Sequence, residues 1–192
     1  MSHPDAQKWD AVYAAGEHRQ NDPVKVLRDH AYLLPASGTA LDIACGRGSN
    51  ALFLARHGLE VSAWDISEQA IQHLQEQATN MNLHIDTRVC DVIQNPPDEN
   101  NFDVIVVSYF LERTLMPALI KALKPGGLLF YQTFSREHVD DTGPRNEDYR
   151  LASNELLKLC HNLHVVFYHE EELVGDTQQG FRNEVMLIGQ RR

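Results

Sequence analysis

The chain has 192 residues, 17 lysines and arginines against 27 aspartates and glutamates, and a formal charge of −10. This length suits one domain, and a hydrophobic content of 43% is enough for a proper core, which argues against disorder and disulfide-dependent miniature folds. The acidic balance argues against a duplex nucleic-acid binder, and no apolar run approaches the roughly 20 residues that span a bilayer.

The opening MSHPDAQKWD lacks the charged-then-apolar layout of a signal peptide. Cys45, Cys90 and Cys160 are odd in number and far apart, so the expectation is a reduced, cytoplasmic protein with free thiols. Residues 1–35 are polar, broken by Asp22-Pro23 and Pro35, with short helical patches over 23–34. Trp9 and Tyr13 are four apart and share a face if this stretch is helical.

From residue 36 strands and helices alternate. TALDIA (39–44) reads as a buried strand, followed by a glycine-rich turn and a helix over 49–57 closed by Gly58. EVSAWD (60–65) is a second strand, and Ser67 caps a helix reaching about Asn80 with Ala70, Ile71, Leu74 and Ala78 on one face. Residues 83–90 form a third strand, and NPPDENN (95–101) is a loop, so the usual covering helix there is short or missing.

FDVIVVS (102–108) has the continuous apolar character of a central parallel strand. A helix over 115–123 is stopped by Lys124-Pro125-Gly126-Gly127, and 128–133 is a fifth strand. Residues 135–150 are a polar excursion, 154–163 a helix, and 164–172 and 184–190 two final strands with no helix between them. The pattern predicts an open α/β sheet, doubly wound, with an antiparallel pair at one edge. Ligands bind such sheets beyond the carboxyl ends of the strands, at the switch point of strand order.

Those ends carry acids and glycines. After the first strand, Gly46 and Gly48 permit a tight turn and close backbone approach, and the next helix offers free N–H groups. Asp42, four residues ahead of Gly46, would repel a pyrophosphate and suit an ammonium. Asp65 ends the second strand, where a carboxylate can accept from ribose hydroxyls, although capping the following helix is a second reading. Asp91, after the third strand, can accept from an exocyclic amine, or simply make a turn. Three acids in register fit a ligand with an amine, a ribose and an amino-purine.

This spacing resembles the class I S-adenosylmethionine-dependent methyltransferases over residues 36–134: the Asp42–Gly48 loop, VSAWDIS, VCDV, FDVIVVS and LKPGGLLF. More narrowly, DIACGRGSNALFLARHGLEVSAWDIS with the early Trp9 and Tyr13, and GPRNEDYRLASNELLKL (143–159), look like the small tellurite-resistance-type methyltransferases and their unassigned relatives. The resemblance implies a Rossmann-like seven-stranded sheet in order 3-2-1-4-5-7-6. It implies one domain, with a cap segment (1–35), a cofactor-binding core (36–134), and a lid loop, helix and edge hairpin (135–192).

It further implies S-adenosylmethionine as cofactor, with S-adenosylhomocysteine as product. Gly46 and Gly48 would face the methionine part, Asp42 its amino group, Asp65 the ribose, and Asp91 with Val92 the adenine. Ser108 and Tyr109 would line the methyl-donor end, and Trp9, Tyr13, Ala44, Cys45, Asn50 and Ile66 complete the expected contacts. Ala44 stands where the family has its first loop glycine, which should narrow the turn without abolishing it.

The acceptor is expected to be a small molecule, a soft thiol or a metalloid anion such as tellurite or selenite, because these need no strong base. Candidate catalytic residues are Tyr109, Arg113, His138 and Arg145, and Arg113, Arg136, Arg145 and Arg150 flank the predicted mouth, where they could bind an anion. The rival readings are an NAD-dependent oxidoreductase and an inactive cofactor-binding subunit. No metal site is expected from Cys160, His161, His164 and His169, since strand alternation sends the last two to opposite faces. The excursion 135–150 and the stretch around Trp9 and Tyr13 are expected to close over the donor methyl as a lid.

Overall fold

A computed structural model describes residues 4–15 and 22–192. Seven strands form one sheet in the order β3-β2-β1-β4-β5-β7-β6. They are β1 Thr39–Ile43, β2 Glu60–Asp65, β3 Ile85–Val89, β4 Phe102–Ser108, β5 Leu123–Phe134, β6 His164–Glu170 and β7 Glu184–Gln190. The helices are α1 Pro4–Ala14, α2 Lys25–Asp29, α3 Ser49–Arg56, α4 Glu68–Asn80, α5 Met116–Ala122 and α6 Glu155–Leu159. The first five strands pair in parallel, and β7 runs antiparallel to both β5 and β6. This is the strand order expected from the resemblance.

Period-two alternation divides the core into two layers. Leu41 and Ile43 of β1, Ile105 and Val107 of β4, and Val185 and Leu187 of β7 pack with Met116, Leu119, Leu156 and Cys160. Ala40, Val104, Val106, Met186 and Ile188 face the other way, onto Val26, Leu27, Leu54, Ile71 and Leu74. The central strands are apolar on both sides because helices cover both sides. The Ser67 hydroxyl caps α4 by accepting from the Ala70 N–H at 3.2 Å. Among the described residues no helix is long and apolar enough to cross a membrane.

Three local expectations are corrected. The strand β5 starts at Leu123, not 128, because Lys124-Pro125-Gly126-Gly127 is absorbed as an irregularity between the pairs Phe102–Leu123 and Val104–Leu128. The helix α6 covers five residues of the expected 154–163, with Asn154 left-handed at its start. In β6 a register shift between Val165 and Phe167 sets His164 opposite Gln190 and His169 opposite Met186. Gln190 and Met186 are four apart on β7, so the shift returns both histidines to one face, against simple alternation.

Candidate functional site

The carboxyl ends of β1 and β4 meet at the switch point of the sheet. Ile43 pairs with Val107, so the chains leave the two strands side by side at Ala44 and Ser108. Both exits use a left-handed residue: Ala44 at φ 51° and Tyr109 at φ 53°. Ala44 therefore keeps the backbone shape that glycine would adopt more cheaply, and the turn is strained rather than narrowed. It continues through Gly46 (φ 53°) and Gly48 (φ 80°), and a Cβ at Gly48 would lie 2.3 Å from Leu74 Cδ1.

Asp42 shares the parity of Ala40 and so points into the α3 layer beneath the turn. It is wholly buried; one oxygen accepts from the Ala51 N–H at 3.0 Å and the other lies 3.4 Å from Asn50 Nδ2. Burial pushes its carboxyl up to about 7. Asp42 thus underpins the loop from below, with its oxygens turned to Ala51 and Asn50. Asn50 links this layer onward, donating to Ser108 Oγ at 2.9 Å and accepting from the Val24 N–H at 2.9 Å.

Asp65 is also buried, and its second reading, at the start of the following helix, is the one its contacts show. It accepts from the Gly46 N–H across the crevice and from the Ser67 N–H at the start of α4, each at 2.8 Å. Burial raises its pKa, opposed by those hydrogen bonds. Ile66 beside it is half-buried. Asp91 Oδ1 accepts from the Ile93 N–H at 2.9 Å, the local turn named above as its second reading, while Val92 is buried in the core. Cys45 is buried, with its thiol pushed well up by burial, and Cys45, Cys90 and Cys160 are all free.

The N-terminal helix lies on this crevice. Trp9 and Tyr13 share a face as expected, with ring centroids 5.9 Å apart. Asp10 accepts from Ser67 Oγ at 2.6 Å and from the Gln69 N–H at 3.2 Å, which places an acid at the α4 N-terminus. A Cβ on Gly46 would sit 2.7 Å from the Tyr13 hydroxyl, so that ring rests against the turn. Arg47 donates through Nη2 to the Tyr13 carbonyl at 2.5 Å, while its Nε is buried with no hydrogen-bond partner among the described residues.

The arginines expected at the mouth divide. Arg113 is committed to structure: it pairs with Glu155 at 2.6 Å and donates to the Asp148 and Arg150 carbonyls. Arg150 is 3% exposed and donates to the carbonyls of Ser135, Thr142 and Pro144, fastening the excursion. Neither is free to hold an anion, because each guanidinium is already spent on internal acceptors. Arg136 and Arg145 remain exposed, and the His138 ring meets the Arg136 carbonyl at 2.5 Å. The excursion is tied down further by Asn183, which accepts from the Val139 N–H at 2.7 Å and donates to Asp140 at 2.9 Å.

Sequence reasoning missed Asp10, Arg47, Gln132 and Glu184. Gln132 and Glu184 stand near the ends of otherwise apolar strands, and a polar residue there was the available signal. Asn50, Ser108, Gln132 and Glu184 form, with Asp42 and Tyr109, a polar seam between the sheet and α2–α3.

The family model described as "Tellurite resistance protein TehB" matches residues 24–185. A "Probable S-adenosyl-L-methionine-dependent methyltransferase TehB" from Haemophilus influenzae (strain ATCC 51907 / DSM 11121 / KW20 / Rd) is 33% identical over 152 residues, 74% of this chain and 52% of that protein. A "Ubiquinone biosynthesis O-methyltransferase" from Xanthomonas axonopodis pv. citri (strain 306) is 31% identical over 134 residues, 67% of this chain and 56% of that protein. The crystal structure of TehB from Haemophilus influenzae superposes with a TM-score of 0.73 at 24% identity, over 94% of this chain and 66% of that one, a likeness of fold. The chain spans about half the length of the curated relatives it matches.

Proposed function

Because the chain belongs to the tellurite resistance protein TehB family, we propose that it is an S-adenosylmethionine-dependent methyltransferase with a small-molecule acceptor. The observation that carries this reading is the turn from Ala44 to Gly48 at the β1–β4 switch point, with the Asp65 carboxylate 2.8 Å from the Gly46 N–H. Its chemistry suits the cofactor. Asp65 and the nearby Asp91 favour a ligand with cationic centres and hydroxyls, and the orphaned Arg47 Nε suits a ligand carboxylate. Asp65 has a lone pair left for a ribose hydroxyl beyond the backbone N–H groups of Gly46, Ile66 and Ser67, and Gly46, Gly48 and Tyr13 would bound the methionine end. Ile66, Asp91 and Val92 would bound the adenine.

The bound cofactor supplies an already activated methyl group. The protein's remaining work is to place the acceptor in line and exclude water. The excursion 135–150 and α1 are suited to that task, and Lys8 lies 6.0 Å from the Tyr149 ring between them. Among the arginines expected to meet an anion, Arg136 and Arg145 are the two that stay exposed.

Calorimetry with S-adenosylmethionine, S-adenosylhomocysteine and NAD tests the proposal, followed by product detection across thiols, selenite, tellurite and small acids. Binding of the first two and not of NAD is expected, with turnover of at least one acceptor. Preference for NAD would refute the cofactor assignment, and binding without any turnover would leave an inactive cofactor-binding subunit.

A further inference from the structure

We propose that Tyr109 and Glu184, held in place by Gln132, form a proton relay to the methyl acceptor, and that this acceptor is a hydroxyl or an amine rather than a metalloid oxyanion. The inference rests on the methyltransferase reading and deepens it. Tyr109 leaves β4 directly after Ser108, beside Ala44, at the end of the sheet where the cofactor turn lies. It is a non-glycine residue at φ 53°, a strained conformation that surrounding contacts must enforce.

Those contacts are on the ring and the hydroxyl. The ring lies 5.0 Å from that of Phe134. The hydroxyl is 3.2 and 3.3 Å from the two Glu184 oxygens and 3.3 Å from Gln132 Nε2. Gln132 is locked at both ends: its Oε1 accepts from the Val26 N–H at 2.8 Å, and its Nε2 donates to Glu184 at 2.5 Å. An amide anchored to backbone on one side fixes the carboxylate on the other, while Tyr109 stays 37% exposed.

Glu184 has the environment of a base. Burial raises its pKa, and among the described residues no cation is paired with it. The groups that face it are Tyr109 from the end of β4 and Gln132 from β5; the excursion adds Asp140, held by the neighbouring Asn183. The excursion also brings His138 near Asp140 and the Arg150 guanidinium 5.6 Å over the Phe134 ring, but Arg150 spends its donors on three carbonyls. No cation pairs with Glu184 among the described residues, which disfavours an oxyanion at this hydroxyl and favours an acceptor that arrives with a proton.

The step balances. The acceptor's lone pair forms the new bond to the methyl carbon as the methyl–sulfur bond breaks and its electron pair stays on sulfur. The acceptor's proton passes to the Tyr109 oxygen while the Tyr109 proton passes to Glu184, which later releases it to water. Tyr109 touches the acceptor; Glu184 acts through it and is a positioning residue as well as the final proton store. The Tyr109 phenol is itself raised by burial and by Glu184, so it rests protonated and relays rather than attacks.

The test compares wild type, Glu184→Gln and Tyr109→Phe, with catechol and benzylamine as proton-bearing acceptors against 4-nitrothiophenol, a thiolate at neutral pH, and tellurite. S-adenosylhomocysteine affinity, read by calorimetry, should be unchanged in Glu184→Gln, and Tyr109→Phe should still bind it, since the ring that lines the methyl-donor end is kept. Wild type should methylate catechol or benzylamine, and kcat for that acceptor should fall by about 100-fold or more in each variant. Wild-type kcat should rise with pH along a limb above the usual glutamate range, and Glu184→Gln should lack that limb. Tyr109→Phe removes one oxygen and keeps the ring stack, so it decides the matter if Glu184→Gln fails to fold. Undiminished kcat in a folded variant, equal losses for catechol and 4-nitrothiophenol, or a cofactor-binding wild type that turns over neither catechol nor benzylamine would overturn the relay. Failure of wild type to bind S-adenosylhomocysteine would instead remove the methyltransferase reading on which it rests.

Discussion

Replacing Asp42 by asparagine tests whether the carboxylate beneath the turn is held there at a cost. Burial takes its pKa from 3.8 to about 7. A rise of that size, at roughly 1.4 kcal/mol for each pH unit, is on the order of 4 kcal/mol of stability. The sign follows from proton binding. Between about pH 4 and 7 the unfolded chain has released this proton and the folded chain still holds it, so stability falls as pH rises through that window, and flattens above it.

The amide in Asp42→Asn carries no such penalty and can still accept from the Ala51 N–H. Its new NH₂ faces the Asn50 NH₂, and Asn50 cannot turn over without losing the Val24 N–H at 2.9 Å, a conflict costing about 1 kcal/mol. Asp42→Asn should therefore be slightly less stable than wild type near pH 4.5 and about 2–3 kcal/mol more stable at pH 8, a Tm difference of roughly 5–10 °C for a chain of this size. Asp65 and Glu184 are raised too, so the wild-type slope is not due to Asp42 alone, and the difference between the two proteins is the diagnostic quantity. Thermal denaturation from pH 4 to 8 measures it. Parallel curves across that range would refute the assignment of a raised pKa to Asp42.

Gly48→Ala should lower stability by about 2–4 kcal/mol in denaturant titration, combining a left-handed alanine with a Cβ only 2.3 Å from Leu74 Cδ1. Asp65→Ala should weaken S-adenosylhomocysteine binding by about 1.5–3 kcal/mol in calorimetry, and a folded variant of normal affinity would separate Asp65 from the cofactor. Arg150→Met deletes three hydrogen bonds to excursion and strand carbonyls. Amide exchange across 136–149 should accelerate while β4 and β7 stay protected; equal acceleration in the strands would mean that the loss is global.

The sheet was readable because its strands carry two independent signals. FDVIVVS is apolar on every residue but Asp103 and Ser108, as a central strand must be, whereas the edge pair β6–β7 lacks an intervening helix and can only be antiparallel. What resisted reading was set by three-dimensional neighbours. The parity argument for His164 and His169 failed on one extra residue in β6, which no local composition announces. Arg113 and Arg150 looked like an anion site because their acceptors, Glu155 and the carbonyls of Ser135 and Thr142, are fixed only after the excursion has folded. Asp42 was legible as an acid at this turn, but its burial against α3 follows from strand parity and packing that the motif does not announce. Tyr109 and Glu184 lie 75 residues apart, beyond any motif.

The docking of α1 makes the cofactor turn a room with a door. Asp10 latches the helix to α4, Arg47 holds its carboxyl end, and Tyr13 leans on Gly46, so on the proposed function a cofactor would meet this helix on its way to that glycine. Observed affinity is then the intrinsic affinity scaled by the fraction of time the door stands open. On the proposed function the same latch would work in reverse: a helix that slows a ligand's entry would also lengthen its residence.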